Sequence, residues 1–578
     1  MKRGRFGWVL VTGLSMGVAS CGGDDEGGGD TAPTGGGSAT GGSATGGSAT
    51  GGDGGEEPGA GGGPLGGGGG EDTGSGGVAT GGGGGEDTGS GGVATGGEGG
   101  EDAGTGGAAT GGDGGAAPSG GAAGSGVSPG GAGTGAATSG GSGGGAGDVG
   151  GAGAGGGPPS CVPPEPFDAD AVYSTVLHVD PAGDDAGDGT ETAPLATLEE
   201  ALSRASAGTR VLMHAGTYVG STWAEGLEGT ASQPIAVVGE GEVVLDADGA
   251  AEVLHVAEAR YLVLEHFTLE NASVNGLNID DGGSYDTPAE HVVLRDLTVR
   301  AVGTGGNNDC IKLSGVDRFF LIDSDISGCD AGDAVDMVGC HDGVIAGNRI
   351  HDTPGSGGIQ AKGGSSGTLV HGNRFEDVGG RSINAGGSTD LEFFRPLDAP
   401  YEAAALRVVA NVFVRSGDTP IAFVGCDGCV FANNTVIDPQ TRVARILQET
   451  VDARFVPSRD GLFVNNVVVF QTSVVNNPDR FVNVGPDTAP ETFVFGNNLW
   501  YATDDAGFSG PTLPDPIPPE TGSVVADPAL VDPAAGDYRI PAASPAAGAG
   551  RPAENAPGDF TGRCWREPPA IGAYESPG

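Results

Sequence analysis

A short repeat constrains this chain more than any other feature. Four segments share one spacing: Asp309-Cys-Ile-Lys312-Leu-Ser-Gly315, Asp333-Ala-Val-Asp336-Met-Val-Gly339, Gly357-Gly-Ile-Gln360-Ala-Lys362-Gly363 and Arg381-Ser-Ile-Asn384-Ala-Gly-Gly387. Their first residues lie 24 apart. Between them runs a second motif, Gly347-Asn348-Arg349-Ile350 and Gly372-Asn373-Arg374-Phe375, echoed by Asn411-Val412-Phe413, Asn433-Asn434-Thr435-Val436 and Asn465-Asn466-Val467-Val468. A unit this short, with two or three β-rich runs and no helix, cannot bury its own apolar face. Stacked coil on coil it can, because each strand pairs in parallel with its copies above and below. Ile311, Val335, Ile359 and Ile383 then form one inward ladder, and Leu313, Met337, Ala361 and Ala385 another. Asn at the coil corners tolerates left-handed backbone and can ladder its amides. The expected fold is all-β, a parallel β-helix.

Composition sets the limits of that fold. From Gly22 to Ser160 there is no Lys, Arg, Phe, Tyr, Trp or Ile. Such a stretch cannot bury enough apolar area to offset its ordering entropy, so a long disordered Gly-rich tether is expected. Its Glu-Asp pairs at 71, 86 and 101 repel one another and extend a flexible spacer. Ahead of it, Met1-Lys2-Arg3-Gly4-Arg5 and the apolar run Phe6 to Val18 read as a secretory signal, too short to span a membrane. Val18-Ala19-Ser20-Cys21 resembles the bacterial lipobox. That resemblance implies a lipidated Cys21 and a domain held at the outer membrane or cell surface by its anchor alone. The order is therefore a signal over 1–20, a linker over 21–160 and the β-helix over 161–578. The chain carries a net charge of -50, and the 60 acidic and 23 basic residues after position 160 leave about -37 in the folded part. A nucleic-acid partner is excluded by that balance. A monomer is expected. Seven cysteines follow Cys21. Cys426 with Cys429 suits a local disulfide, Cys161 with Cys564 would tie the two ends, one cysteine is left over, and the connectivity stays open.

With the repeats laid out, the coils resemble those of the right-handed parallel β-helix proteins of the pectate-lyase-like superfamily, over roughly 175–575. The opening His178-Val-Asp180 to Gly216-Thr217-Tyr218 and the ending Ile571-Gly-Ala-Tyr-Glu575 resemble those of its exported members. Thr197 to Glu200 is a capping box, so a short helix over Leu198 to Ala205 should close the first coil. This fold hosts lyases, hydrolases, epimerases and non-catalytic surface proteins, so function must be argued from a site.

The outward positions of one ladder read Asn278, Lys312, Asp336, Gln360, Asn384 and Ala422, about 4.8 Å apart from strand to strand. Lys362 lies two residues beyond Gln360 on the same face, and Asp309, Asp333 and Arg381 flank the row. Lysine occurs only at 2, 312 and 362. Lys can lose its proton and Arg generally cannot, which suits a base acting next to a carboxylate. The segment around Lys362, with Asn373-Arg374-Phe375 after it, resembles the catalytic coil of alginate and chondroitin lyases. The resemblance implies cleavage of a uronate-containing polysaccharide by β-elimination, with Lys362, Arg381 and Lys312 as catalytic candidates. Gln360, Asn384 and Arg395 are the candidates for holding the glycan, Arg395 from a long insertion over Ser388 to Glu402. Those lyases carry acidic metal ligands just before the lysine, where Gly355 and Gly357 stand here; Asp309, Asp333 and Asp336 are the candidate Ca²⁺ ligands in their place.

The competing reading is a non-catalytic glycan- or surface-binding β-helix. Lys312 then merely pairs with Asp336, a contact contributing ~0–1 kcal/mol. Lys362 has no opposite charge directly beside it in the repeat. Glycoside hydrolysis needs two carboxyls about 5–9.5 Å apart, for which Asp333 and Asp336 are a candidate pair, and it ranks last because the Asp-Asp pattern of the fold-related polygalacturonases is absent. His371 is expected to face solvent.

Overall fold

A computed structural model of the chain describes residues 161–284, 287–303, 308–355, 357–475, 481–552 and 556–577. The expected signal over 1–20, the lipidation of Cys21 and the linker over 21–160 lie outside the described residues. From 175 onward the strands coil into a right-handed parallel β-helix whose strand pairs are parallel throughout the named ladders. Among the described residues there is one sheet of ten strands, one of 23 that carries two further ladders, and a small one of three. The ten-stranded sheet positions the site. Its strands are β1 (Thr222–Glu225), β2 (Glu252–Ala257), β3 (Asn275–Asp280), β4 (Ile311–Ser314), β5 (Val335–Val338), β6 (Ile359–Lys362), β7 (Arg381–Gly386), β8 (Thr419–Val424), β9 (Ala444–Leu447) and β10 (Val482–Val484).

The repeat's inward ladders pair in the expected register. Ile311 sits over Val335, Val335 over Ile359 and Ile359 over Ile383, with Leu313, Met337, Ala361 and Ala385 beside them, all buried. Elsewhere in the core Phe375, Phe413, Phe431, Phe463 and Phe495 form a column with ring centroids 4.7–5.3 Å apart. Burying one such ring contributes about 1.5–3 kcal/mol, so the column is a large share of what holds the later coils together.

The corners divide their work between two adjacent residues. Gly347, Gly372, Ala410, Asn433, Asn465 and Asn497 take positive φ and turn the chain. The Asn that follows each of them points inward. Asn348, Asn373, Asn411, Asn434, Asn466 and Asn498 are buried and stacked; from Asn373 onward each side-chain oxygen accepts the backbone N–H and the amide N–H of the Asn one coil earlier, at 2.8–3.2 Å, and the Asn348 oxygen accepts the Ser324 N–H at 2.9 Å. Every buried corner amide is thus satisfied by its neighbours in the stack.

The first coil is closed by α1 (Leu198–Arg204), capped by Thr197, whose hydroxyl accepts the Glu200 N–H at 3.2 Å. The reciprocal half of the box comes from elsewhere: Asp185 accepts the Thr197 N–H at 2.9 Å, while Glu200 pairs with Arg204. At the other end the chain returns over the outside of the later coils. Tyr538, Ile540, Ile571 and Tyr574 cover outward Val412, Val414, Val467 and Leu499. Disulfides join Cys161 to Cys564, Cys310 to Cys329 and Cys426 to Cys429, leaving Cys340 free and buried. The returning segment also corrects the expectation for His371. Its ring is buried beneath the tail and meets the Gly558 carbonyl at 2.7 Å, because a contact 187 residues away in sequence covers it.

Asn411→Ala removes the middle rung of the corner ladder. It leaves the backbone and amide N–H groups of Asn373 without their acceptor, at about 1–3 kcal/mol for a buried unsatisfied group. Denaturant unfolding should show a loss of about 3 kcal/mol; a loss under about 0.5 kcal/mol would mean the ladder contributes nothing.

Candidate functional site

The outer face of the ten-stranded sheet carries one residue per coil in register: Trp223, His255, Asn278, Lys312, Asp336, Gln360, Asn384, Ala422, Arg445 and Asn483. The insertion expected over Ser388 to Glu402 stands beside this row. Its base is fixed by buried Glu402, which accepts from the Gly363 N–H at 2.8 Å and from the Thr389 N–H and hydroxyl at 3.0 and 2.8 Å. Between insertion and ladder runs a groove of about 930 Å³, lined by Trp223 and Asn278 at one end and by Lys312, Lys362 and Phe393 further along.

The two lysines converge on one carboxylate. Asp336 is fully buried, and its Oδ2 receives both the Lys312 ammonium, in a short contact, and the Lys362 ammonium at 3.3 Å. Lys312 also meets Asp309 at 3.2 Å, and Lys362 donates to the Gln360 Oε1 at 2.9 Å. Lys362 therefore does have an opposite charge beside it. The partner lies diagonally, one coil earlier and two residues back, a contact the straight register does not display. Burial works against the Asp336 charge, but Lys312 and Lys362 outweigh it and hold the carboxyl below its usual range. Burial likewise opposes the Lys312 charge, and Asp336 with Asp309 overrides it, so this ammonium is held well above the ordinary lysine value. Asp333 behaves oppositely: burial first, then the charges of Asp336 and Asp309, push its carboxyl up to about 8.

The remaining candidates are placed apart. Arg381 and Asn384 line a second depression of about 300 Å³ with Asp333 and Asp418. Arg381 is engaged there by Asn384 at 3.0 Å and by Glu449 at 2.7 Å. Arg395 reaches the groove wall, but its guanidinium is held by Asp317 at 2.7 and 2.9 Å and by the Gly339 carbonyl at 2.9 Å, pinning the insertion to the coils. Asp309, Asp333 and Asp336 do not fit a Ca²⁺ ion, which takes six to eight oxygens. The Asp309 and Asp336 Oδ2 atoms face ammonium groups, and Asp309 Oδ1 accepts the Asp333 N–H at 2.8 Å. No group of three or more His, Cys, Asp or Glu side chains among the described residues is arranged to hold a metal.

Sequence reasoning missed the far end of the groove. Trp223 is half exposed, and its ring lies 4.0 Å from that of His255. His255 is clamped by Glu252 at 2.7 Å and Asp280 at 2.6 Å. Burial opposes its charge, but the hydrogen bonds to Asp280 and Glu252 prevail and raise the imidazole to about 9. The early coils are of unequal length, so these residues fall outside the 24-residue spacing. Extending the outward ladder backward from Asn278 strand by strand would have reached them.

A protein-family comparison agrees with the architecture. Residues 275–484 match the family model described as a right handed beta helix region. The uncharacterized protein YwoF of Bacillus subtilis (strain 168) is 28% identical over 137 residues, covering 22% of this chain and 29% of that protein. The match thus spans under a third of the relative's length. Among solved structures, pectate lyase Pel9A is 14% identical with a TM-score of 0.41, over 70% of this chain and 98% of that one. An alginate lyase from Paenibacillus sp. str. FPU-7 is 18% identical with a TM-score of 0.36, over 61% and 100%.

Two outcomes follow from the geometry. Asp336→Ala leaves two crowded ammonium groups without their carboxylate, and unfolding should show a loss of about 3–5 kcal/mol; a loss under about 1 kcal/mol would contradict the shared-carboxylate account. His255 gains its proton affinity on folding, so its contribution is complete below the ordinary value of 6.5 and is lost as pH rises through about 9. The thermal midpoint of the wild type should fall toward that of His255→Gln across this window. A difference between them that stays constant with pH would contradict the clamp.

Proposed function

We propose that the groove binds a uronate-containing glycan and cleaves it by β-elimination. The observation that carries this reading is the pair Lys312 and Lys362 meeting at Asp336 on the groove wall of an otherwise acidic protein. Two ammonium groups so placed can each meet a sugar carboxylate at short range despite the mean field of the protein. Lys312, clamped by two carboxylates, stays an ammonium and takes the uronate carboxylate, which makes the neighbouring C5 proton more acidic. Lys362, after giving its own proton to solvent, takes the C5 proton. The C5–H electron pair forms the C4–C5 double bond, the bond from C4 to the bridging oxygen breaks, and the departing oxygen takes the proton from Lys362. The carboxylate-bearing floor under both lysines replaces the metal in this scheme, and we propose that the reaction proceeds without Ca²⁺.

One observation favours the second reading, a non-catalytic glycan-binding β-helix: Asp336 is already paired with both ammonium groups at rest. In either case the proposed setting is extracellular, with the domain tethered through a lipidated Cys21.

The purified full-length protein should be incubated with polygalacturonate, alginate and gellan while ultraviolet absorbance of unsaturated uronate ends is followed. Absorbance should rise on at least one of them, persist in a metal chelator, and disappear in Lys362→Ala. Unchanged turnover in that variant would remove Lys362 from the chemistry, and loss in chelator restored by Ca²⁺ would overturn the metal-free scheme. Retardation in glycan affinity gels without any absorbance change would establish the binding reading instead.

A further inference from the structure

The groove is electrically divided along its length. At one end it presents the ammonium groups of Lys312 and Lys362, paired with Asp336 and Asp309, whereas at the Trp223 end Glu225, Asp280 and Asp281 line it. Trp223 occupies the outer ladder three strands before Lys312, through His255 and Asn278, so the two lie about 14 Å apart along the stack. That span accommodates several sugar rings of one chain.

Trp223 is built as a fixed platform. His255 lies against it at 4.0 Å and is itself immobilised by Glu252 and Asp280. Glu252 is held in turn by Asn275 at 2.9 Å and Asn278 at 3.0 Å. The indole therefore leans on this hydrogen-bonded cluster, its plane tilted 60° from that of the imidazole, while the residue remains 51% exposed. A flat, exposed, propped ring bordered by amides and carboxylates matches a pyranose, which offers an apolar C–H face to an aromatic ring and hydroxyls to its rim. It does not match a second uronate, whose carboxylate would lie against Glu225 and Asp280 with no cation among the described residues lining that end free to meet it, since the His255 imidazole is already held by two carboxylates.

We propose that Trp223 is the floor of a neutral-sugar subsite, so that the ligand of this groove is a mixed glycan with a neutral pyranose on Trp223 and a uronate on Lys312 and Lys362. This deepens the reading given above and rests on it for the uronate half.

Binding of three glycans to the full-length protein tests it, by calorimetry and by the Trp223 fluorescence obtained as the difference between the wild type and Trp223→Phe. The probes are hexagalacturonate, cellohexaose and a gellan oligosaccharide, whose chain mixes glucuronate with neutral sugars. The gellan fragment should bind about tenfold more tightly than hexagalacturonate and change the Trp223 signal, a margin of the size expected for one ring contact with its buried area. Trp223→Ala should abolish that margin and leave hexagalacturonate affinity unchanged, while Trp223→Phe keeps most of it. Equal affinity for gellan and hexagalacturonate, or equal weakening of both by Trp223→Ala, overturns the neutral subsite and leaves the lysine reading standing. Binding of cellohexaose at Trp223 with no uronate glycan bound at all overturns the lysine reading and the mixed ligand with it.

Discussion

In a stack of parallel strands every backbone N–H and C=O that points along the stack finds its partner in the neighbouring coil. This pairing fixes register, and register fixes everything else in the molecule. A side chain at a given position is held about 4.8 Å from its counterparts above and below, so a row of like positions becomes a continuous surface. On the inside that surface is a dry ladder of Ile, Val and Phe. At the corners it is a column of asparagine amides, each completing the next. On the outside of the ten-stranded sheet it is a row of mixed side chains, whose chemistry is free to vary because nothing in the core depends on it.

The site shows what such a row permits and what it costs. Two ammonium groups and a fully buried carboxylate can be packed against each other only because the strands hold their Cβ atoms at fixed spacing; in an exposed loop the same charges would be solvated separately. The same confinement pushes Asp333 toward its neutral form beside an ionised Asp336. Neighbouring carboxyls with opposed tendencies are an arrangement characteristic of functional sites.

Much of this was legible in the sequence, and for a definite reason. Where coils are of equal length, as from Asp309 to Arg381, spacing alone predicts that Lys312 stands over Asp336, Asp336 over Gln360 and Gln360 over Asn384, and the register agrees. Two of the three disulfides, Cys161 to Cys564 and Cys426 to Cys429, were also within reach. What escaped depends on contacts that periodicity does not encode. The steps from Trp223 to His255 and from Asn278 to Lys312 are lengthened by loops, so the place of Trp223 and His255 in the row is hidden. The diagonal approach of Lys362 to Asp336 depends on side-chain reach rather than on register. Arg395 turns to Asp317, and His371 is roofed by the returning tail, because segments far away in the chain cover them.

The account is tested most directly by a crystal structure of the protein soaked with a uronate oligosaccharide that it binds. A sugar carboxylate within hydrogen-bonding distance of the Lys312 and Lys362 nitrogens, its chain lying along the stack toward Trp223, is the predicted result. The same ligand seated in the Arg381 and Asp418 depression, with the lysines still closed over Asp336 and the groove vacant, would contradict it.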